Sequence, residues 1–352
     1  MTMGGASILA IASAVPAPRS QDELWDGFFS RHFSQAHWAE RIYRSAGVKR
    51  RHPAVDPTVE DVSAWTTAAR LRRYLPEAMP LAKGAATRVL ALSGLATTDI
   101  GLLAVVSCTG YATPGLDVAL ARDLGLPGNA ERVLIGHMGC HAALPALGLA
   151  SAYVSSRQRS ALLLCVELPS LHVQGPSSDL DQILAHALFS DAAAAVTVVP
   201  GASPGGLNVV DTEARTDLSS ADHITWEITD NGFRMGLSRH VPEVLEAHVG
   251  PTVDALLSRN GLERAEVAAW VAHPGGLGVL DAVTRALDLP NAALDISRYV
   301  LEQYGNCSSA TVLVVLEQLR RQQPVSEGGY IVLLAFGPGL TLYAVLLRAN
   351  CG

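Results

Sequence analysis

The sequence predicts a layered α/β protein made of two related halves. Short apolar, β-branched runs alternate with longer alanine- and leucine-rich segments along the 352 residues. Each half repeats one order: a long helix, a strand, a special residue at the strand's end, then a helix opening on small residues. Between them stands the strongest cluster of breakers, Pro200-Gly201-Ala202-Ser203-Pro204-Gly205-Gly206. Such alternation builds mixed or parallel sheets covered by helices, and breaker clusters mark loops. The expected halves are residues 1–203 and 204–352, with 211–222 an exposed stretch soon after the boundary.

In chain order, the first expected strand is Ser7–Ala12. It lies in the apolar run Ala6–Val15, which has no basic residue before it and so does not read as a secretory signal. Helices Val62–Arg72 and Leu81–Ser93 follow, then strand Leu102–Ser107 and helices Leu116–Leu124 and Ala143–Ser155. Strands Ala161–Val166 and Ala193–Val199 close the first half. The second half reads as helix Val241–Asn260, strand Ala269–Ala272, helices Val279–Ala286 and Ala310–Gln322, and strand Ile331–Phe336.

Composition narrows the class. Hydrophobic residues make up 49% and charged residues only 17%, which excludes a disordered chain. A net charge of −7 argues against a general nucleic-acid binder, which needs excess positive charge. Charge this sparse implies that an oligomer interface covers much of the surface. The longest apolar stretches fall far short of the roughly 20 residues that span a bilayer. The five cysteines, Cys108, Cys140, Cys165, Cys307 and Cys351, are odd in number and scattered. They read as free thiols in a reducing compartment, the cytoplasm.

Three local sequences carry chemistry. In Ile135-Gly136-His137-Met138-Gly139-Cys140-His141-Ala142-Ala143-Leu144, glycines precede a cysteine and a small-residue helix follows it. A tight turn there would lift Cys140 to a helix N-terminus, where the dipole favours a thiolate; an inert buried cysteine is the alternative. In Trp270-Val271-Ala272-His273-Pro274-Gly275-Gly276, a strand ends in a histidine before a forced turn. That histidine either works chemically or simply bonds the strand terminus. In Tyr304-Gly305-Asn306-Cys307-Ser308-Ser309-Ala310, asparagine and serine could be ordinary helix caps. Taken together the three point to a spatially assembled set. A cysteine paired with imidazole can accept an acyl group from a thioester, while imidazole and amide donate to a developing oxyanion. Zinc at His137, Cys140 and His141 is the weaker alternative, because side chains at the start of a helix diverge and no fourth ligand is evident.

These motifs, with Phe336-Gly337-Pro338-Gly339-Leu340-Thr341, resemble the type III polyketide synthases, the chalcone synthase-like enzymes of the thiolase superfamily, in their bacterial form. The likeness runs from Ile8 to the last strand. Ketoacyl synthase III enzymes share a Cys–His–Asn set, but usually carry His-Gln-Ala-Asn where this chain has His-Pro-Gly-Gly, and they lack the Gly-Pro-Gly-Leu-Thr ending. A single condensation of that kind, a thioesterase-like hydrolysis and a non-enzymatic scaffold are the competing readings; a scaffold would be expected to have lost one of the three residues.

The resemblance implies a homodimer of thiolase-fold subunits, each of two pseudo-equivalent αβαβα halves with layered mixed sheets. It makes Cys140 the acyl-carrying nucleophile, with His273 and Asn306 stabilising the enolate of decarboxylated malonyl-CoA. Acyl-CoA and malonyl-CoA are the substrates, and no metal, flavin or acyl-carrier arm is required. Phe189 matches a gatekeeper phenylalanine that disfavours the malonyl carboxylate, and Met235 falls at the second gatekeeper position. Cys108, Thr109, Pro169, His172, Ser308 and Gly337 match substrate-binding positions. Thr113 matches a loop residue that reaches into the partner's cavity. Lys49-Arg50-Arg51 matches a basic cluster expected to meet CoA phosphates. Departures from the pattern are His141 after the nucleophile, Ser190 and Ala192 around Asp191, and Ala335 in the last motif. Small residues near the entrance, with Met235, favour an aliphatic starter and pyrone or resorcinol products.

Overall fold

The structure is a computed structural model that describes residues 5–350, so Cys351 lies outside the described residues. Its longer strands are β1 (Ala6–Ala14), β2 (Ile100–Ser107), β3 (Glu131–Gly136), β4 (Ser160–Glu167), β5 (Ala192–Pro200), β6 (Leu207–Thr216), β7 (Ile224–Thr229), β8 (Gly232–Leu237), β9 (Val267–Ala272), β10 (Tyr330–Gly337) and β11 (Thr341–Ala349), beside a two-residue pair, Arg19–Ser20 with Arg50–Arg51. Nine of them join in the order β9-β10-β11-β6-β1-β5-β4-β2-β3, while β7 and β8 form a separate hairpin. Parallel pairing is confined to β4-β2-β3 and to β9-β10. The longer helices are α1 (Thr67–Ser93), α2 (Leu116–Leu124), α3 (Ala143–Arg157), α4 (Leu180–Leu188), α5 (Val241–Arg259), α6 (Leu277–Leu287), α7 (Asp295–Tyr304) and α8 (Thr311–Gln322).

Strand alternation creates the layers, because successive side chains leave opposite faces of a sheet. In β10, Ile331, Leu333 and Ala335 enter one core, while Val332, Leu334 and Phe336 enter another. In β4, Ala161, Leu163 and Cys165 face the first core, and Leu162, Leu164 and Val166 face a third. The shared core holds α3 and α8, both packed between the two halves of the sheet. Helix α1 covers the outer face of the first half, and α5 with α6 cover that of the second. This is the helix–sheet–helix–sheet–helix arrangement of the thiolase fold.

The structure adds one feature and changes two expectations. The two half-sheets are one continuous sheet, joined where β1 meets β6 through Ala6–Val209, Ser7–Asn208 and Ile8–Leu207. The seam is polar: Ser7 Oγ donates to Asn208 Oδ1 at 2.5 Å, and Asn350 Nδ2 donates to the same oxygen at 3.1 Å. The two helices expected at 62–72 and 81–93 are the single α1, starting later, capped by Thr66 and ended by Gly94 in the left-handed region (φ 66°). Pro76 and Pro80 lie within it on the exposed face, so the carbonyls they leave unbonded meet water. The buried face, from Arg70 and Tyr74 through Ala78, Ala82 and Val89, keeps the helix on the sheet. Finally, residues 211–216 of the expected exposed stretch belong to β6, in the middle of the sheet. Residues 207–209 pair with both neighbours and 211–216 with β11 alone, although many of the strand's side chains are half-buried or exposed.

Because Leu313 is fully buried in the shared core, Leu313→Ala should destabilise the protein by about 2–5 kcal/mol. The midpoint of denaturant unfolding followed by circular dichroism measures this, and an unchanged midpoint would contradict the placement of α8.

Candidate active site

Cys140 rides on a tight turn between β3 and α3. His137 and Gly139 take left-handed backbone angles (φ 59° and 72°) to make it. A Cβ on Gly139 would collide with the Pro338 ring, and one on Gly337 would collide with His141 Nδ1. Glycine at both places lets the end of β10 pass close against the turn that carries the cysteine.

His273 follows the last residue of β9, and its backbone N–H donates to Leu334 O at 2.8 Å. The ring is 1% exposed, and neither ring nitrogen has a hydrogen-bond partner. Asn306 sits in the turn after α7. Its Oδ1 accepts from Ser308 N at 2.9 Å and from Thr311 Oγ1 at 3.4 Å. The oxygen is therefore occupied, and Nδ2 is held only by a long contact of 3.5 Å to Gly275 O. The backbone of Asn306 brackets Phe189: Asn306 N donates to Leu188 O at 2.8 Å, and Ser190 N to Asn306 O at 2.9 Å.

Cys140, His273 and Asn306 line one cavity of about 420 Å³, with Gly337 at its wall and Leu180, Leu184, Leu188 and Leu245 giving it an apolar lining. Phe189 and Met235 line this cavity and two smaller ones. The first, about 20 Å³, is bounded by Cys140, Cys108, Thr109, Pro169, Ser308 and Trp226. The second, about 40 Å³, includes His172, Arg51 and His186. Since a water needs roughly 10–15 Å³ of such space, each holds one to a few waters.

Burial dominates the electrostatics. It pushes the Cys140 thiol up to about 12, against a weaker opposing effect of the Ser308 hydroxyl 3.7 Å away. It pushes the His273 imidazole down to about 3, with His141 adding to the effect. Burial thus disfavours charge on both groups and opposes the pull of the helix dipole towards a thiolate. Once buried, the charged form loses the water that would solvate it.

The other expected residues divide. Cys108, Thr109, Pro169 and Ser308 stand beside Cys140 in the small chamber. His172 is spent on structure: Nε2 meets Thr109 O at 2.7 Å, Nδ1 accepts from Phe233 N at 3.1 Å, and the ring stacks on Phe233. Thr113 is exposed beside a cis Thr113–Pro114 bond, away from the Cys140 cavity. Lys49, Arg50 and Arg51 do not line that cavity. Lys49 pairs with Glu302 at 2.5 Å, Arg50 is exposed, and Arg51 is buried. His137 is exposed while Cys140 and His141 are buried, and the described residues hold no metal-ligating cluster of three.

Sequence reasoning missed three residues. Arg239 is the cation that does line the large cavity. Trp226 closes the small chamber, its indole N–H donating to Cys108 O at 2.9 Å. Glu167, fully buried, accepts from Cys108 N at 3.1 Å and Thr109 Oγ1 at 2.7 Å, and also from the Ser309 hydroxyl. Burial pushes its carboxyl up to about 7. A polar residue ending an apolar strand was its only mark in the sequence.

A buried cysteine, histidine and asparagine gathered at one cavity by two sheet-and-helix halves define a condensing enzyme of thiolase fold. Family models agree: that described as chalcone and stilbene synthases, N-terminal domain, matches residues 1–204, and the C-terminal domain model matches 213–351. The chain belongs to the chalcone and stilbene synthase family and is a type III polyketide synthase, an acyl-transferring enzyme. Among curated relatives, a 1,3,6,8-tetrahydroxynaphthalene synthase of Streptomyces peucetius is 34% identical, over 98% of this chain and 93% of that protein. The alpha-pyrone synthesis polyketide synthase-like Pks18 of Mycobacterium tuberculosis is 32% identical, over 87% of this chain and 81% of that one. Among solved structures, PKS-I of the brown alga Ectocarpus siliculosus superposes with a TM-score of 0.92 at 29% identity, covering 99% of both chains. The tetrahydroxynaphthalene synthase of Streptomyces coelicolor superposes with 0.91 at 26% identity, covering 98% of this chain and 100% of that one. These relatives do not favour a single-condensation ketoacyl synthase III.

Burial holds His141 down at about 4. Below pH 6.5 an unfolded imidazole takes a proton that the folded one refuses, so this histidine costs stability as the pH falls from 6.5 towards 4. His141→Phe removes that cost. Relative to pH 7.5, the variant should gain about 2 kcal/mol over the unmodified protein at pH 5. Denaturant unfolding at the two pH values reads the difference, and equal shifts at both would contradict the buried neutral ring.

Proposed function

We propose that Cys140 carries the acyl chain, His273 moves the thiol proton, and His273 with Asn306 holds the enolate in decarboxylative Claisen condensations. The observation that carries this reading is the single cavity lined by all three, where His273 has two unpartnered ring nitrogens and Asn306 has its oxygen already engaged. Groups left without partners in the free protein are those a substrate can satisfy.

In loading, the sulfur attacks the acyl-CoA carbonyl as its proton passes to the imidazole. The C–S bond to CoA breaks, and the proton returns to the departing CoA sulfur. In extension, the bond from the malonyl α-carbon to its carboxylate breaks and carbon dioxide leaves with no proton needed. The electron pair becomes an enolate, whose oxygen accepts N–H groups from neutral His273 and from Asn306 Nδ2. The enolate carbon then attacks the Cys140 thioester: a C–C bond forms, the C–S bond to Cys140 breaks and its sulfur leaves as a thiolate, and the lengthened chain, now on CoA, returns to Cys140 for the next round. The apolar Phe189 face disfavours the malonyl carboxylate over neutral carbon dioxide. The chemistry runs on acyl-CoA and malonyl-CoA as substrates.

The leucine-rich lining of the large cavity supports an aliphatic starter. Two relatives are named for different products, a tetrahydroxynaphthalene and an alpha-pyrone. A pyrone or a resorcinol is the product expected from an aliphatic starter. The division at 1–203 and 204–352 belongs to the same reading, as does a cytoplasmic homodimer. Exposed Tyr111, Val118 and Leu134 near Thr113 support a partner surface there, with Thr113 reaching across.

Cys140→Ala should abolish the acyl-enzyme seen by intact mass after addition of an acyl-CoA; polyketide formation by this variant would refute the nucleophile. Asn306→Ala should lower malonyl-CoA decarboxylation by about 10²–10³ while leaving starter loading far less affected. Equal losses in the two steps would remove Asn306 from the enolate site.

A further inference from the structure

The geometry points to Arg51 as a positioning residue that fixes the Phe189 gate and the Asn306 amide relative to each other, rather than as a contact to CoA phosphate. This rests on the roles assigned above to Cys140, His273, Asn306 and Phe189. Arg51 is 6% exposed, so a CoA phosphate in solvent cannot reach it. Its Nη1 donates to the His186 carbonyl and, at 3.4 Å, to the Phe189 carbonyl. Its guanidinium is held over the rings of Phe29 and Tyr43, 5.4 and 5.7 Å from their centroids. Its stem packs on the second loop. A Cβ built on Gly305, the residue before Asn306, would lie 3.3 Å from Arg51 Cγ and 2.9 Å from Leu188 O.

The flanking chain repeats the pattern. Lys49 N donates to Glu302 O at 2.8 Å, and the His52 ring meets Gln303 O at 3.1 Å, both at the end of α7. His52 N donates to Ser190 Oγ and Ala54 N to Asp191 Oδ2, each at 2.7 Å, beyond the gate. Residues 49–54 therefore bind the turn of one half to the turn of the other, with Arg51 touching both. Asn306 and the Phe189 turn are themselves bridged by two backbone hydrogen bonds. Displacing the Phe189 carbonyl thus moves Asn306 with it.

The test measures the steady-state kinetics of Arg51→Met and Arg51→Lys with an acyl-CoA and malonyl-CoA, alongside acylation of Cys140 by intact mass. Arg51→Met should lower kcat for condensation and malonyl-CoA decarboxylation about 10- to 100-fold, the scale of an ångström misplacement. KM for malonyl-CoA should change less than about 3-fold, since no binding contact is lost. Arg51→Lys, which keeps one donor, should recover part of kcat. If Arg51→Met does not fold, the kcat and KM of Arg51→Lys decide alone. A KM increase at unchanged kcat would mean a CoA contact and overturn the proposal, as would unchanged values of both. If the unmodified protein makes no polyketide, the proposed function itself fails; normal turnover with an effect on KM alone sinks only the role of Arg51.

Discussion

The whole site depends on close approach of turns that side chains would keep apart. Gly139 lies against the Pro338 ring, Gly337 against His141, and Gly305 against the carbonyl of Leu188 and the Ser190 side chain. At each contact a single methyl group is enough to push the turns apart. The cysteine comes from the first half, and the histidine and asparagine from the second. At these glycines the packed layers approach closely enough to bring those groups to one cavity. The sheet seam at β1 and β6 sets the halves side by side, and the glycines let their ends interlock.

Enclosure of this kind has an electrostatic consequence. Dry surroundings disfavour charge on Cys140 and on His273 alike. That suits the second half-reaction. A neutral imidazole can donate N–H to an enolate, and it does not hold the malonyl carboxylate that must leave. A permanently ionised cysteine would cost stability in so dry a place. Glu167 answers the same constraint differently. It collects donors from Cys108, Thr109 and Ser309, and so fixes the floor of the chamber.

Much of the fold was legible because strands buried on both faces are near-continuous apolar runs, as in β2, β4 and β5. Strand β6 was hidden for the opposite reason. Its polar sequence, Leu207-Asn208-Val209-Val210-Asp211-Thr212-Glu213, meets the core on few positions, and its pairing is decided by neighbours far away in the chain. Helix α1 is continuous through two prolines that would ordinarily end a helix. Pro76 and Pro80 recur at the spacing of one turn and stay exposed, while alanines at helical spacing bury the other side.

The site was legible where a motif fixes the backbone and obscure where only direction matters. Cys140, His273 and Asn306 each sit at a junction marked by glycine, proline or serine, so local chemistry announces them. The triplet Lys49-Arg50-Arg51 looks uniform, yet its members part completely. Residues 50 and 51 form a short strand paired with Arg19–Ser20, and neighbours in a strand leave on opposite faces. Arg50 therefore meets solvent and Arg51 enters the protein. A shift of one residue in that pairing would exchange them. What decides the register is remote: the carbonyls of Glu302 and Gln303 on one side, and Ser190 with Asp191 on the other. A basic run read along the chain names a charge; only the partners of its backbone say whether that charge greets a phosphate or holds two turns together.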